Sequence, residues 1–228
     1  MERRVAVILQ KCKKGKQVKQ THVQILINGL KGSNFLAIKL MTLSSEFISL
    51  DYAAKVFDDL RTPDLISYNP LIKCSIGSSI RVATTTYNRM REKGISSNSY
   101  TLTFLLRCYE SFNKFELGER VHGHVLRMGI ASGLFVMNTL MDLYAKCGGS
   151  LDIARKVLDE MPERDIVTWN TMIRTYMSNG DIDTAVKLFE SMPDRNLVSG
   201  LAKIGNMESA KRVFQDREHG IGCSLIQC

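Results

Sequence analysis

Three asparagines stand in the same local setting: Asn69 in ISYNPLIKC, Asn138 in FVMNTLMDLYAKCG and Asn170 in VTWNTMIRTYMSNG. Each is followed two and three places later by large apolar residues, Leu71 and Ile72, Leu140 and Met141, or Met172 and Ile173. A carboxamide both donates and accepts hydrogen bonds, so a row of them can meet the edge of a base. An Asn near a helix start can equally serve only the local backbone, and sequence leaves both readings open. Little else could do chemistry. His122 and His124 are two residues apart, which on a helix points them to different faces, so they read as structural. The six cysteines include no CxxC pair, which argues against a structural zinc or a redox dithiol and for a reducing compartment. Cys74 and Cys108 occupy one repeated slot, as small buried packing residues do. No Gly-rich phosphate loop, nucleophile elbow or paired catalytic carboxylates occur. The expectation is a binder with no catalytic residues, no metal and no cofactor.

The elements that carry these residues follow from internal repetition. Lys156 to Ile173 is echoed 31 residues on: Met161-Pro162 by Met192-Pro193, Arg164 by Arg195, Ala154 by Ala185. A ladder of small residues runs Ala53, Ala83, Gly118, Ala154, Ala185, Ala210. Large residues follow it by four and seven places, as in Ala53, Phe57 and Leu60, which is one apolar helix face. Before each such helix lies another, closed by Gly77, Gly148 or Gly180. The spacing predicts an all-α solenoid of stacked antiparallel helix-turn-helix repeats of about 31–35 residues. Its units are 34–64, 65–98, 99–133, 134–165 and 166–196, after a basic, irregular first unit within residues 1–33. Residues 197–228 read as a degenerate or truncated final repeat and tail. The small-residue spacing there falls from 31 to 25, a loss of nearly two helical turns.

The 228 residues carry a formal charge of +8, and residues 1–33 alone hold eight basic side chains against the single acid Glu2. The body is therefore nearly neutral, and the salt-dependent part of any polyanion binding should come from Arg3 to Lys31. The start is basic and acid-poor like an organellar transit segment, yet poor in Ser and continuous with repeat-like sequence. A targeting role and a basic first repeat both stand. No apolar run is long enough to cross a bilayer, so no membrane partner is expected.

The runs VTWNTMI, LYAKCG, KVLDEMPERD, ELGERVHGHVLRMG and KLFESMPDRN resemble the pentatricopeptide repeat proteins of plant organelles. The unit lengths resemble the subclass that alternates standard, long and short motifs. That resemblance implies a sequence-specific reader of single-stranded RNA in a mitochondrion or chloroplast, each repeat taking one base. It implies a role in RNA processing or cytidine-to-uridine editing. Zinc deamination needs a His-x-Glu and a Pro-Cys-x-x-Cys, which this sequence lacks, so an enzyme would act in trans. The family reads a base with the fifth and the last residue of a unit. Carried over, the pairs are Ile38 with Asp64, Asn69 with Asn98, Thr103 with Gly133, Asn138 with Asp165, and Asn170 with Asn196. Asn with Asp resembles the uracil combination and Asn with Asn a pyrimidine one, so the implied target leans to pyrimidines. Ile38 and Gly133 depart from the pattern, and their units should read nothing sharply. Ile66, Val136 and Val167 would lie where the family sandwiches bases between apolar side chains, or serve as ordinary core, and sequence leaves both open. Two other readings stand beside this one: a helical-repeat scaffold for protein partners, and a truncated product of low activity.

Overall fold

In the computed structural model the structure describes residues 1–128, 133–147 and 151–192. Among the described residues there are twelve α-helices and no strand. They come in six pairs: α1 (Glu2–Gln10) with α2 (Gly15–Ile27), α3 (Asn34–Phe47) with α4 (Leu50–Asp58), and α5 (Leu65–Cys74) with α6 (Ile80–Glu92). The others are α7 (Ser99–Ser111) with α8 (Phe115–Arg127), α9 (Leu134–Lys146) with α10 (Leu151–Glu160), and α11 (Ile166–Ser178) with α12 (Ile182–Glu190). The all-α architecture expected from the periodicity is the one present. The tail from residue 197, expected to be the least regular part, lies outside the described residues.

The packing is that of a stack. Each odd helix packs on its even partner, and α3, α5, α7, α9 and α11 pack successively side by side. Each even helix also touches the odd helix of the next pair. The odd helices thus form a continuous inner row, backed on one side by the even helices. Contacts between nearest neighbours of this kind are what make a solenoid grow in one dimension.

The ladder of small residues explains the close approach. Ala53, Ala83 and Ala154 are fully buried, and Gly118 and Ala185 are buried with them. A Cβ built on Gly118 would lie 2.6 Å from Leu143 Cδ2, so α8 and α9 meet where only a hydrogen fits with Leu143 as it stands. Phe57, Met90, Leu158 and Met161 fill the stripe beside the ladder. The cysteines pack the inner row: Cys108 Sγ lies 3.6 Å from the Ser75 carbonyl, and Cys147 Sγ 3.6 Å from that of Glu110. Burial pushes the Cys108 thiol up to about 11, so it stays protonated at neutral pH.

Helix ends are set by identifiable side chains. Ser49, Asp64, Ser79, Asn98, Asp165 and Asp181 each accept a hydrogen bond from a backbone amide of the first turn of the following helix. Gly180 closes α11 at φ +82°, which lets the Asp181 amide reach the Tyr176 carbonyl at 3.0 Å. Asn113, at φ +53°, does the same for α7 without a glycine.

Enlarging the ladder should loosen the stack. Ala83→Leu inserts atoms into a fully buried site on α6, with an expected loss of about 1–3 kcal/mol. A fall in the urea midpoint at unchanged slope is the expected outcome.

Candidate nucleic-acid interface

Three rows of side chains run along the odd helices on the face turned from the even ones. Within α3, α5, α7, α9 and α11 they sit at spacing i, i+3, i+7, which is one helix face. The first row is apolar and exposed: Phe35 (50%), Ile66 (66%), Tyr100 (60%), Phe135 (49%) and Val167 (58%). A single exposed hydrophobe is ordinary, but five in register form a platform of flat or branched side chains. The second row is recessed: Ile38, Asn69 and Asn170 are half-buried, Asn138 is 8% exposed and Thr103 is fully buried. The third row is Thr42, Lys73, Arg107, Asp142 and Arg174, exposed except for half-buried Asp142.

The first row separates the two readings of three apolar residues. Ile66 and Val167 are exposed, whereas Val136 is fully buried as ordinary core and the exposed residue of α9 is Phe135. A step of one residue turns the side chain by about 100°, enough to carry it from the surface into the core. Phe35, Tyr100 and Phe135 were missed. Counting from the first residue of each helix would have found them, because all five stand second in their helix.

Two of the recessed side chains, Asn69 and Asn138, lie against the residue that precedes the next odd helix. Asn69 Nδ2 donates to Asn98 Oδ1 at 3.4 Å, and Asn69 Oδ1 accepts from Thr101 Oγ1 at 2.7 Å. Asn98 is itself held by the Thr101 amide at 2.9 Å, within a reciprocal capping box. Asn138 lies near enough to Asp165 to favour its ionised form, and Asp165 accepts from the Thr168 amide at 2.8 Å and the Thr168 hydroxyl at 2.7 Å. Asp64 is fixed in the same way by Ser67, and nearby Asn34 Nδ2 donates to the Thr62 carbonyl at 3.3 Å. So the local capping role falls to the last residue of a pair, not to the recessed Asn.

Two atoms stand out. Asn138 Oδ1 is buried and has no hydrogen-bond partner among the described residues. A buried acceptor left unpaired is costly, and Ser44 Oγ and Tyr68 Oη share that state in the core. Thr103 Oγ1 is likewise buried and unpartnered, but with the whole residue at 0% exposure it is out of reach of a docked base. Its expected partner Gly133 precedes α9 and caps it with no side chain. Asn170 is half-buried, and Asn196 lies outside the described residues.

Charge along the third row is uneven. Arg174 pairs with Asp142 at 2.7 Å, Lys146 with Glu110 at 2.7 Å and with Asp142 at 4.0 Å, a chain of ions linking α7, α9 and α11. Lys73 and Arg107 have no ion pair among the described residues. Lys73 instead lies 5.8 Å from the Phe104 ring centre. His122, one of the two close histidines, hydrogen-bonds Tyr144 Oη through Nδ1 at 2.8 Å, and burial lowers its pKa.

A sequence profile of the PPR repeat family matches residues 164–199, and one of the PPR repeat matches residues 135–166 and 195–216. A pentatricopeptide repeat-containing protein of Arabidopsis thaliana is 36% identical over 167 residues, 72% of this chain and 24% of the relative. The chain is a pentatricopeptide repeat protein of plant type. Two further Arabidopsis pentatricopeptide repeat-containing proteins, both named chloroplastic, are 33% and 36% identical over 78% and 75% of the chain. The chain spans between 22% and 38% of the length of these three relatives. Among solved structures, the pentatricopeptide repeat protein PPR10 in complex with an 18-nt psaJ RNA element matches 96% of this chain and 40% of its own. The TM-score is 0.66 at 19% identity, a likeness of fold.

The caps give a pH test of the pentatricopeptide stack. Burial pushes the Asp165 carboxyl up, but bonds from Thr168 and Asn138 outweigh it and hold the group below its ordinary 3.8. A lowered folded pKa adds stability above the unfolded value and loses it as pH falls through the folded one. Wild type should therefore exceed Asp165→Asn in stability at neutral pH, with the gap closing below about pH 4. Asp165→Ala should cost about 0.5–2 kcal/mol through the lost cap. Chemical denaturation across pH reads both.

Proposed function

We propose that the chain binds single-stranded, pyrimidine-leaning RNA along its odd-helix face and serves organellar RNA processing or cytidine-to-uridine editing as an adaptor. The observation that carries this reading is the unpaired, buried Oδ1 of Asn138, in a carboxamide that neighbours the Asp165 carboxylate. That arrangement presents one acceptor of fixed direction, and uracil N3–H is a donor that answers it. The exposed side chains of Phe135 and Val167 offer the faces between which a base can stack. The contacts proposed are Asn69 with Asn98, Asn138 with Asp165, and Asn170 with Asn196; Thr103 is set aside for its burial. The editing or processing enzyme acts in trans. Relatives named chloroplastic or mitochondrial support an organellar site, and the solved neighbour with its RNA element supports the ligand class.

A protein-binding scaffold is the competing reading, since exposed apolar side chains would also suit a peptide. It gives no reason for a recessed amide at the same slot of three helices. The test is Asn138→Ala measured against uridine-containing and uridine-free RNAs. The expected outcome is a loss of about 1–3 kcal/mol confined to the uridine target, the scale of a good base contact. An equal loss for every sequence would assign Asn138 to structure, and no RNA affinity in the wild type would favour the scaffold.

The salt dependence of binding offers a second check. The basic side chains of α1, α2 and the turn between them, Arg3, Arg4, Lys11, Lys13, Lys14, Lys16 and Lys19, are all exposed. Replacing Lys13, Lys14, Lys16 and Lys19 by Gln should flatten the slope of log affinity against log salt while sequence preference stays. An unchanged slope would remove this segment from the interface.

A further inference from the structure

The first helix pair carries an open seat. The buried residues of α1 and the turn after it, Val5, Ala6, Leu9 and Cys12, have the spacing of Leu140, Met141, Tyr144 and Cys147, which are buried in and just after α9. Ile8 therefore occupies the slot of Leu143. Leu143 is fully buried, because α8 of the preceding pair lies against it at Gly118. In the first pair α1 packs on α2 and α3, and Ile8 stays 51% exposed. Beside it runs a groove of about 550 Å³, lined by Ile8 of α1 and by Gln20, Val23 and Gln24 of α2. Val23 is exposed, and so is Ile27 one turn further along α2. Lys11 also lines the groove, and Lys16 and Lys19 share a neighbouring recess with Gln20 and Val23. Glu2, the one acid of residues 1–33, accepts a hydrogen bond from the Ser33 hydroxyl instead.

We propose that this groove docks an amphipathic helix of a partner protein, with glycine in its apolar stripe and acidic side chains along its flanks. The helix would sit on Ile8 as α8 sits on Leu143, by its apolar face. Glycine follows from size. Where the slot holds the smaller Cys108, the preceding even helix carries Ala83; where it holds Leu143, that helix carries Gly118. Ile8 has the bulk of Leu143, so the docked helix needs the same relief. Acids follow from charge complementarity, since Lys11, Lys16 and Lys19 have no ion pair among the described residues. The same lysines disfavour a second copy of this face, which would set like charge on like. RNA would use the lysines, but Ile8, Val23 and Ile27 are aliphatic and offer no flat ring for a base to stack on. The proposal goes beyond the RNA reading and stands without it.

The probe is a fluorescent peptide of the α8 sequence, Phe115–Arg127, with Arg120→Glu and Arg127→Glu, held helical by a staple on its solvent side. Anisotropy should show saturable binding to the full chain that weakens as salt rises. The double variant Ile8→Gln, Val23→Gln keeps the charge and alters two exposed side chains, so the circular dichroism should not change. It should bind the peptide about ten-fold less tightly, the scale of two apolar side chains left in water. A peptide that also carries Gly118→Val should lose as much. The α8 sequence with its two arginines kept should bind about five-fold more weakly than the acidic probe. No saturable binding overturns the site. Equal binding by wild type and the double variant overturns the groove and leaves charge attraction alone. Equal binding by the two peptides that differ in charge overturns the acidic partner, and tolerance of Gly118→Val overturns the glycine. A dimer in sedimentation that the double variant abolishes assigns the face to a second copy, against the proposal. An oligouridine RNA whose affinity falls in the double variant assigns it to RNA, also against the proposal.

Discussion

A helix start leaves backbone amide hydrogens without partners, and something must accept them. In this chain the acceptors are Asp64, Asn98 and Asp165, each standing just before an odd helix. The same side chains reach back to the preceding pair, Asn98 to Asn69 and Asp165 to Asn138. The cap is therefore a rivet between consecutive pairs as well as the start of a helix. It leaves each recessed amide with a fixed orientation, because the partner it touches cannot turn without abandoning the backbone. Where the rivet is missing, at Gly133, the recessed residue is the buried Thr103 and no polar pair forms. The helix start and the setting of the recessed amide are thus served by one cluster, and a substitution at the cap disturbs both.

Much of the fold was legible because periodicity is a consequence of burial. The stripe of Ala53, Phe57 and Leu60 recurs because each pair buries the same face, and Gly77 and Gly180 mark turns that only a residue free to take positive φ makes easily. The end of α7 was less legible, since Asn113 takes that conformation with a side chain whose sequence signal is weaker. The recessed asparagines were legible as a repeated slot. Their depth was not, because exposure depends on the neighbouring pair: Asn138 is buried while Asn69 and Asn170 are half-buried. At Val136 the two open readings differ by one step of register. Adjacent apolar residues look alike in sequence, and only the helix start says whether Phe135 or Val136 faces outward.

The electrostatics of the inner face follow neither the net charge nor a single row. Glu110, Lys146, Asp142 and Arg174 neutralise one another across three helices, while Lys73 and Arg107, toward the other end, have no ion pair among the described residues. Exposed pairs of this kind contribute little to stability. They do remove cations from the surface that a polyanion would meet. The face is thus more positive toward α5 and α7 than toward α9 and α11, which biases which end a negatively charged strand meets first.

The inner row of odd helices is continuous, whereas each even helix is tied mainly to its own partner and to the next odd helix. A stack tied this way is laid out like a fan, with the packed inner row along its hinge line and the outer helices as its ribs. Asn69, Asn138 and Asn170 all stand on helices of that hinge line, so the packing of neighbouring odd helices sets the pitch between them. A strand laid along the row, as proposed above, would meet the three carboxamides at a spacing that the outer ribs do not set.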